Sequence, residues 1–287
     1  MRLTGRNAIV TGGSTGLGLS IAAAFLSNGA NVAICGREES TLAVAVKHLN
    51  DHAAASQQVL SMTCDVSEPD AVNRFVTHCT DQFGRIDILI NNAGVLGPIG
   101  NIEDLDLNLW RRTCEVNLYG VVVTTQRLIP HMKANGYGKI INISGGGATS
   151  PRPFFSAYAA SKAAVVRLTE TIAVELNGTG IDVNAIAPGA LNTRMLAQTL
   201  EAGPERAGGA QFAQALKQSE TGGNSPEDAA ELCVYLASAC GDGITGRLIS
   251  AVWDPWISLD QRREDLSTTD IYTLRRIVPE DRGKSWK

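Results

Sequence analysis

Short apolar, β-branched runs recur along the chain with longer amphipathic stretches between them, the pattern that arises when parallel strands are joined by crossover helices. The runs are 7–11, 31–35, 58–64, 86–91, 139–144, 181–187 and 247–253. They predict an α/β fold on a doubly wound, seven-stranded parallel sheet flanked by helices. Local signals agree: Gly29 is placed to end the first helix, Ser67 and Ser225 to cap later ones, and Pro226 to take a first helical position. The stretches 108–134 and 156–176 each read as one long helix. Residues 191–223 are loosened by Gly203, Pro204, Gly208, Gly209, Gly222 and Gly223, which predicts short helices that form a lid over a pocket or else an ordinary surface insertion.

A chain of 287 residues, 44% hydrophobic and 19% charged, buries one large core without a break in composition. Residues 1–256 are expected to form a single domain carrying both binding and catalysis. Residues 257–287 are a polar extension that keeps Leu259, Leu266, Ile271, Tyr272, Leu274, Ile277 and Trp286, too many apolar anchors for a disordered tail. It is expected to pack on its own core or on a neighbouring subunit. The net charge of -4 gives no footprint for nucleic acid. No run reaches membrane-spanning length, and the opening MRLTGRNAIV leaves no room for a signal peptide. The six cysteines show no zinc-like spacing and read as reduced core thiols, so a cytoplasmic location without a metal is expected.

TGGSTGLG follows the first strand and opens a helix. Gly12, Gly16 and Gly18 let backbone approach a pyrophosphate at a helix N-terminus, with Ser14, Thr15 and Leu17 lining the turn. This is a Rossmann-type, dinucleotide-binding arrangement. A carboxylate at the end of the second strand would accept from the adenosine ribose and repel a 2'-phosphate, but Cys35-Gly36-Arg37 stands there instead. Arg37 offers a fork suited to phosphate, so NADP(H) is favoured, with NAD(H) the alternative. Asp65, followed by Val66, ends the third strand and is a candidate contact to adenine.

Tyr158 and Lys162 stand four apart in SAYAASKAAV, on one helical face. A phenol with a pKa of about 10 needs roughly 4 kcal/mol of differential stabilisation to reach neutrality, and a nearby ammonium contributes. With the glycine turn, with Asn91-Asn92-Ala93-Gly94, with Asn117 in EVNLYG and with Pro188-Gly189 before Thr193, the chain resembles the short-chain dehydrogenase/reductase family over residues 5–254. The resemblance implies that Asn91 steadies the central sheet, that Asn117 holds a relay water to Lys162, and that Lys162 also binds the nicotinamide ribose. It implies cofactor contacts at Asn92, Ala93, Gly94, Tyr158, Pro188, Gly189 and Thr193. It also implies a homotetramer acting on a small carbonyl or alcohol substrate, 3-oxoacyl compounds by frequency in the family.

One departure stands out. The family's catalytic serine lies thirteen positions before the tyrosine, and Gly145 is found there. Ser144, one residue earlier, is the expected substitute, with Thr149, Ser150 or a backbone N–H as alternatives. Phe154 and Phe155 predict a partly apolar pocket, with Arg152, Arg194 and Trp256 in reach. A dinucleotide-binding regulator without turnover is the rival reading, and a sugar-modifying dehydrogenase is another.

Overall fold

The apolar runs become β1 (Asn7–Thr11), β2 (Asn31–Gly36), β3 (Val59–Thr63), β4 (Ile88–Asn91), β5 (Gly138–Ile143), β6 (Ile181–Ala187) and β7 (Leu248–Ser250). This computed structural model describes residues 1–286. The strands pair in parallel in the order β3-β2-β1-β4-β5-β6-β7, with Ile9 opposite Ala33 on one side and Leu89 on the other. The order reverses between β1 and β4, and in such sheets ligands bind at the carboxyl ends of the strands beside that switch.

β1, β4 and β5 are buried along their whole length because helices cover both faces. On one face, α1 (Gly16–Ser27), α2 (Glu39–His52) and α9 (Pro226–Ala237) bring Ile21, Phe25, Leu49 and Val234 to the sheet. On the other, α3 (Pro69–Phe83), α5 (Gly120–Asn135) and α6 (Ser156–Glu175) bring Phe75, Leu128 and Ile172. Each such buried side chain is worth roughly 1.5–3 kcal/mol.

Three sequence expectations change. The helix over 108–134 is not uniform: α4 (Leu107–Cys114) passes into a π turn at Glu115–Tyr119 before α5. A Cβ on Gly120 would stand 2.7 Å from Val66 Cγ2, so the widened turn sits where the helix presses on the end of β3. Ser67 does not cap α3, which starts after Glu68, because Ser67 is drawn to Asp65 and Arg112. Ser225 does cap α9, accepting from Glu227 N, with Pro226 in the first turn. The last strand stops at Ser250, where side chains take over the backbone donors: Asp254 accepts from Ser250 N and Ser250 Oγ from Trp253 N.

The loosened stretch forms α7 (Arg194–Ala207), kinked at Gly203, and α8 (Gly209–Thr221). The extension lies against its own chain. Leu259 and Leu266, the latter on α10 (Arg263–Thr268), join the core, and Leu248 N donates to Tyr272 O at the β7 edge. Arg247 donates to the carbonyls of Leu266, Thr269 and Ile271, and Leu274 N to Glu170 on α6.

Candidate active site

The glycine turn connects the end of β1 to the start of α1. Thr15 precedes the helix in an extended conformation without a side-chain cap, and the first turn holds no acidic residue. Its free N–H groups and the helix dipole therefore face outward for an anion. Close packing explains the glycines: a Cβ on Gly18 would stand 2.3 Å from Gly12 O, and one on Gly12 2.9 Å from Ala93 Cα. Asn92 fixes the turn to β4 by donating to Thr11 O and Gly12 O at 3.1 Å each, while Asn92 N and Ala93 N donate to Thr11 Oγ1. The glycine cradle and the uncapped helix start fit the pyrophosphate of a dinucleotide. No cluster of His, Cys, Asp and Glu suited to a metal occurs among the described residues.

Arg37 follows β2 and is exposed. The preceding Gly36 abuts Ser14, a Cβ there standing 2.9 Å from Ser14 Oγ, and Ser14, Thr15, Ser40, Thr41 and Val44 line a shallow hollow of about 270 Å³. Asp65 is partly committed elsewhere: it accepts from Ser67 N and Oγ and pairs with Arg112. Burial would raise its pKa, but these hydrogen bonds and the Arg112 charge hold it below the usual range. At the far side of the turn, Gly189 follows Pro188 with φ 89, and Thr193 starts α7. Thr193 Cγ2 lies 3.9 Å from the place a Cβ on Gly16 would take, so the N-terminus of α7 faces that of α1.

Tyr158 and Lys162 occupy the first turns of α6 and are both buried. Lys162 Nζ donates to Ile143 O at 2.7 Å, and burial pulls its pKa down to about 8. Burial pushes the Tyr158 phenol up, and the nearby Arg152 charge opposes that. A Cβ on Gly94 would stand 3.6 Å from Lys162 Nζ and 3.4 Å from Asn117 Oδ1, which brings the NNAG segment, the π turn and α6 to one point. The Asn117 side chain accepts from Val95 N and donates to Val95 O and Ser161 Oγ.

A family model described as short chain dehydrogenase matches residues 6–203. The chain belongs to the short-chain dehydrogenase family. A short chain dehydrogenase of Pseudocercospora fijiensis is 37% identical over 68% of this chain, although the match spans only 62% of that protein. D-beta-hydroxybutyrate dehydrogenase of Rhizobium meliloti is 32% identical over 85% of this chain and 96% of its own. Among solved structures, NAD+-bound xylitol dehydrogenase superposes with a TM-score of 0.79 at 25% identity, covering 87% of this chain and 98% of that one. This short-chain dehydrogenase is thus an oxidoreductase of hydroxyl and carbonyl groups that uses a nicotinamide dinucleotide.

The structure joins Asn92, Ala93, Gly94, Asn117, Tyr158 and Lys162 into one locus beside the glycine turn, with Thr193 facing Gly16 of that turn and Pro188 and Gly189 following the end of β6. Asn91 lies deeper, bonded to Asn142, Thr124 and Thr125. Ser144 is buried at the end of β5 and its hydroxyl has no partner among the described residues. Gly145 abuts the phenol: a Cβ there would stand 2.4 Å from Tyr158 Oη. Thr149 and Ser150 are exposed. Thr11 and Ser161, which hold the turn and Asn117, were not among the candidates; only a hydroxyl at a strand end and one next to the lysine marked them. The lid packs over the locus, with Ala207 and Phe212 against Phe154, Phe155 and Tyr158.

Proposed function

We propose that this short-chain dehydrogenase interconverts a ketone and a secondary alcohol with NADP(H), in the manner of a 3-oxoacyl reductase. The convergence of buried Tyr158 and Lys162 with Gly94 and Asn117 beside the glycine turn carries this reading. Tyr158 gives its proton to the substrate oxygen during reduction and takes it back during oxidation. Lys162 favours the phenolate by its charge and binds the cofactor ribose, while Ser144 orients the substrate oxygen. Asn117, fixed by its bonds to Val95 and Ser161, holds a relay water to Lys162. The turn residues Gly12, Ser14, Thr15, Gly16, Leu17 and Gly18 hold the pyrophosphate, Asp65 and Val66 border the adenine, and Pro188, Gly189 and Thr193 border the nicotinamide. When bound, the nicotinamide supplies or accepts the hydride.

Preference for the 2'-phosphate rests on exposed Arg37 directly after β2 and on the hollow lined by Ser14, Ser40 and Thr41 at the glycine turn. The expected homotetramer is favoured by exposed Leu107, Leu109 and Val174 on α4 and α6. The test is steady-state kinetics with a panel of ketones, including a 3-oxoacyl thioester, and both reduced cofactors. Tyr158→Phe should lower kcat by about 10²–10⁴ without loss of cofactor binding. A clear preference for NADH would refute the NADP(H) assignment. Tight cofactor binding with no turnover of any carbonyl would instead make the chain a regulator.

A further inference from the structure

Gly145 leaves no side chain at the position where a hydrogen-bond donor to the substrate is expected, and the buried Ser144 hydroxyl next to it has no partner among the described residues. The charged group that borders Tyr158 from the loop before α6 is Arg152. Its guanidinium lies 4.1 Å from the Phe155 ring centroid and 5.5 Å from that of Tyr158. Arg152 Nη1 is also 3.8 Å from the point a Cβ on Gly146 would occupy, so the glycine run and the arginine flank one space next to the phenol.

Among the described residues, the other guanidiniums that are not exposed have partners, whereas arginines such as Arg37, Arg74 and Arg194 stand exposed to solvent. Arg6 and Arg85 pair with Asp87, Arg112 with Asp65 and Arg167 with Glu170, and Arg247 is bonded to tail carbonyls. Arg152 is half-buried, and among the described residues it has no carboxylate partner and donates no hydrogen bond; Tyr158 is the titratable group it faces. A guanidinium does not shed its proton to escape burial, and its planar fork matches a carboxylate in bidentate fashion. With Lys162 also present, the Tyr158 ring is flanked by two cationic side chains.

We infer that Arg152 is a substrate-binding residue that pairs with a carboxylate close to the reacting carbon, so that the substrates are short oxo acids and the matching hydroxy acids. This rests on the ketone–alcohol reading above and narrows its substrate class. The proximity of Arg152 to Tyr158 restricts the acid group to a position one or two carbons from the reacting carbon, as in 2-oxo and 3-oxo acids.

The experiment compares wild type, Arg152→Gln and Arg152→Lys on 2-oxobutyrate and 3-oxobutyrate, on their methyl esters and on a 3-oxobutyryl thioester. Calorimetric titration of the enzyme–cofactor complex with unreactive butyrate and butyramide gives a readout that needs no turnover. The expected result is that wild type prefers the acids, and that Arg152→Gln raises their KM by about 10- to 100-fold while the esters change little. Arg152→Lys should recover part of the loss, and butyrate binding should weaken in Arg152→Gln with butyramide unaffected. The inference is overturned if wild type prefers ester or thioester, if acid and ester lose equally, or if kcat falls for both with KM unchanged. The comparison of acid with ester in wild type decides the matter even if a variant fails to fold. A chain that turns over none of these compounds yet binds butyrate through Arg152 contradicts the ketone–alcohol reading and leaves the anion site standing.

Discussion

Lys162 is held with its ammonium against the Ile143 carbonyl, in surroundings that pull its pKa from the ordinary 10.5 to about 8. Below about pH 8 folded and unfolded chains both keep this proton, and the cost of burying the charge is fully present. Between pH 8 and 10.5 the folded chain releases the proton while the unfolded chain keeps it, so stability rises with pH across that window. The displacement corresponds to about 3 kcal/mol, less whatever the hydrogen bond to Ile143 returns. Lys162→Met should therefore melt higher than wild type at pH 7 while losing activity, and the gap should close by pH 10.5. Melting curves of the two proteins at a series of pH values check this, and a gap that stays constant contradicts it. The pair was legible from its spacing and its company. The state of Ser144 was not, because burial of its hydroxyl depends on how β5 ends against β6 and α6.

The start of α1 shows how an element makes a binding surface out of close packing. Gly18→Ala would put a methyl 2.3 Å from Gly12 O and 2.5 Å from Asn92 Nδ2, against backbone and against the side chain that fixes the turn. Overpacking of this kind costs about 1–3 kcal/mol, and the turn must open to relieve it. We expect a lower Tm and weaker cofactor binding. Gly209→Ala, at the open start of α8 with no atom within 4 Å of the new methyl, should be neutral or slightly stabilising. Thermal shift with and without NADPH distinguishes the two: equal responses would show that the turn does not act through packing. Six of the seven strands were readable within two residues at either end because continuous apolar, β-branched runs have few other uses in a chain of this size. The π turn was not readable. It depends on Val66 pressing on Gly120 and on Asn117 reaching Val95, contacts that a local pattern does not carry.

Across the whole molecule, the extension completes the domain. Arg247 is buried, and carbonyls at Leu266, Thr269 and Ile271 receive its guanidinium. Removal of residues 257–287 would leave that charge without acceptors and uncover Leu259 and Leu266 sites in the core. A cost of about 3–5 kcal/mol corresponds to a fall in Tm of roughly 6–20 °C for a chain of this size. Calorimetry of the truncated protein tests it, and an unchanged Tm would mean that the extension is only attached. The apolar anchors announced a packed tail, but its destination lay in Arg247, which reads in the sequence as one more strand residue.

The same contact sets an order of events during synthesis. Tyr272 closes the β7 edge through its carbonyl, yet it is translated after the strand it covers. At ~5–20 residues per second the interval between Leu248 and Tyr272 lasts ~1–5 s. During that interval a nearly finished sheet presents an open, extendable border. A nascent chain of this protein is therefore most vulnerable to joining its neighbours on a polysome just before its fold is sealed.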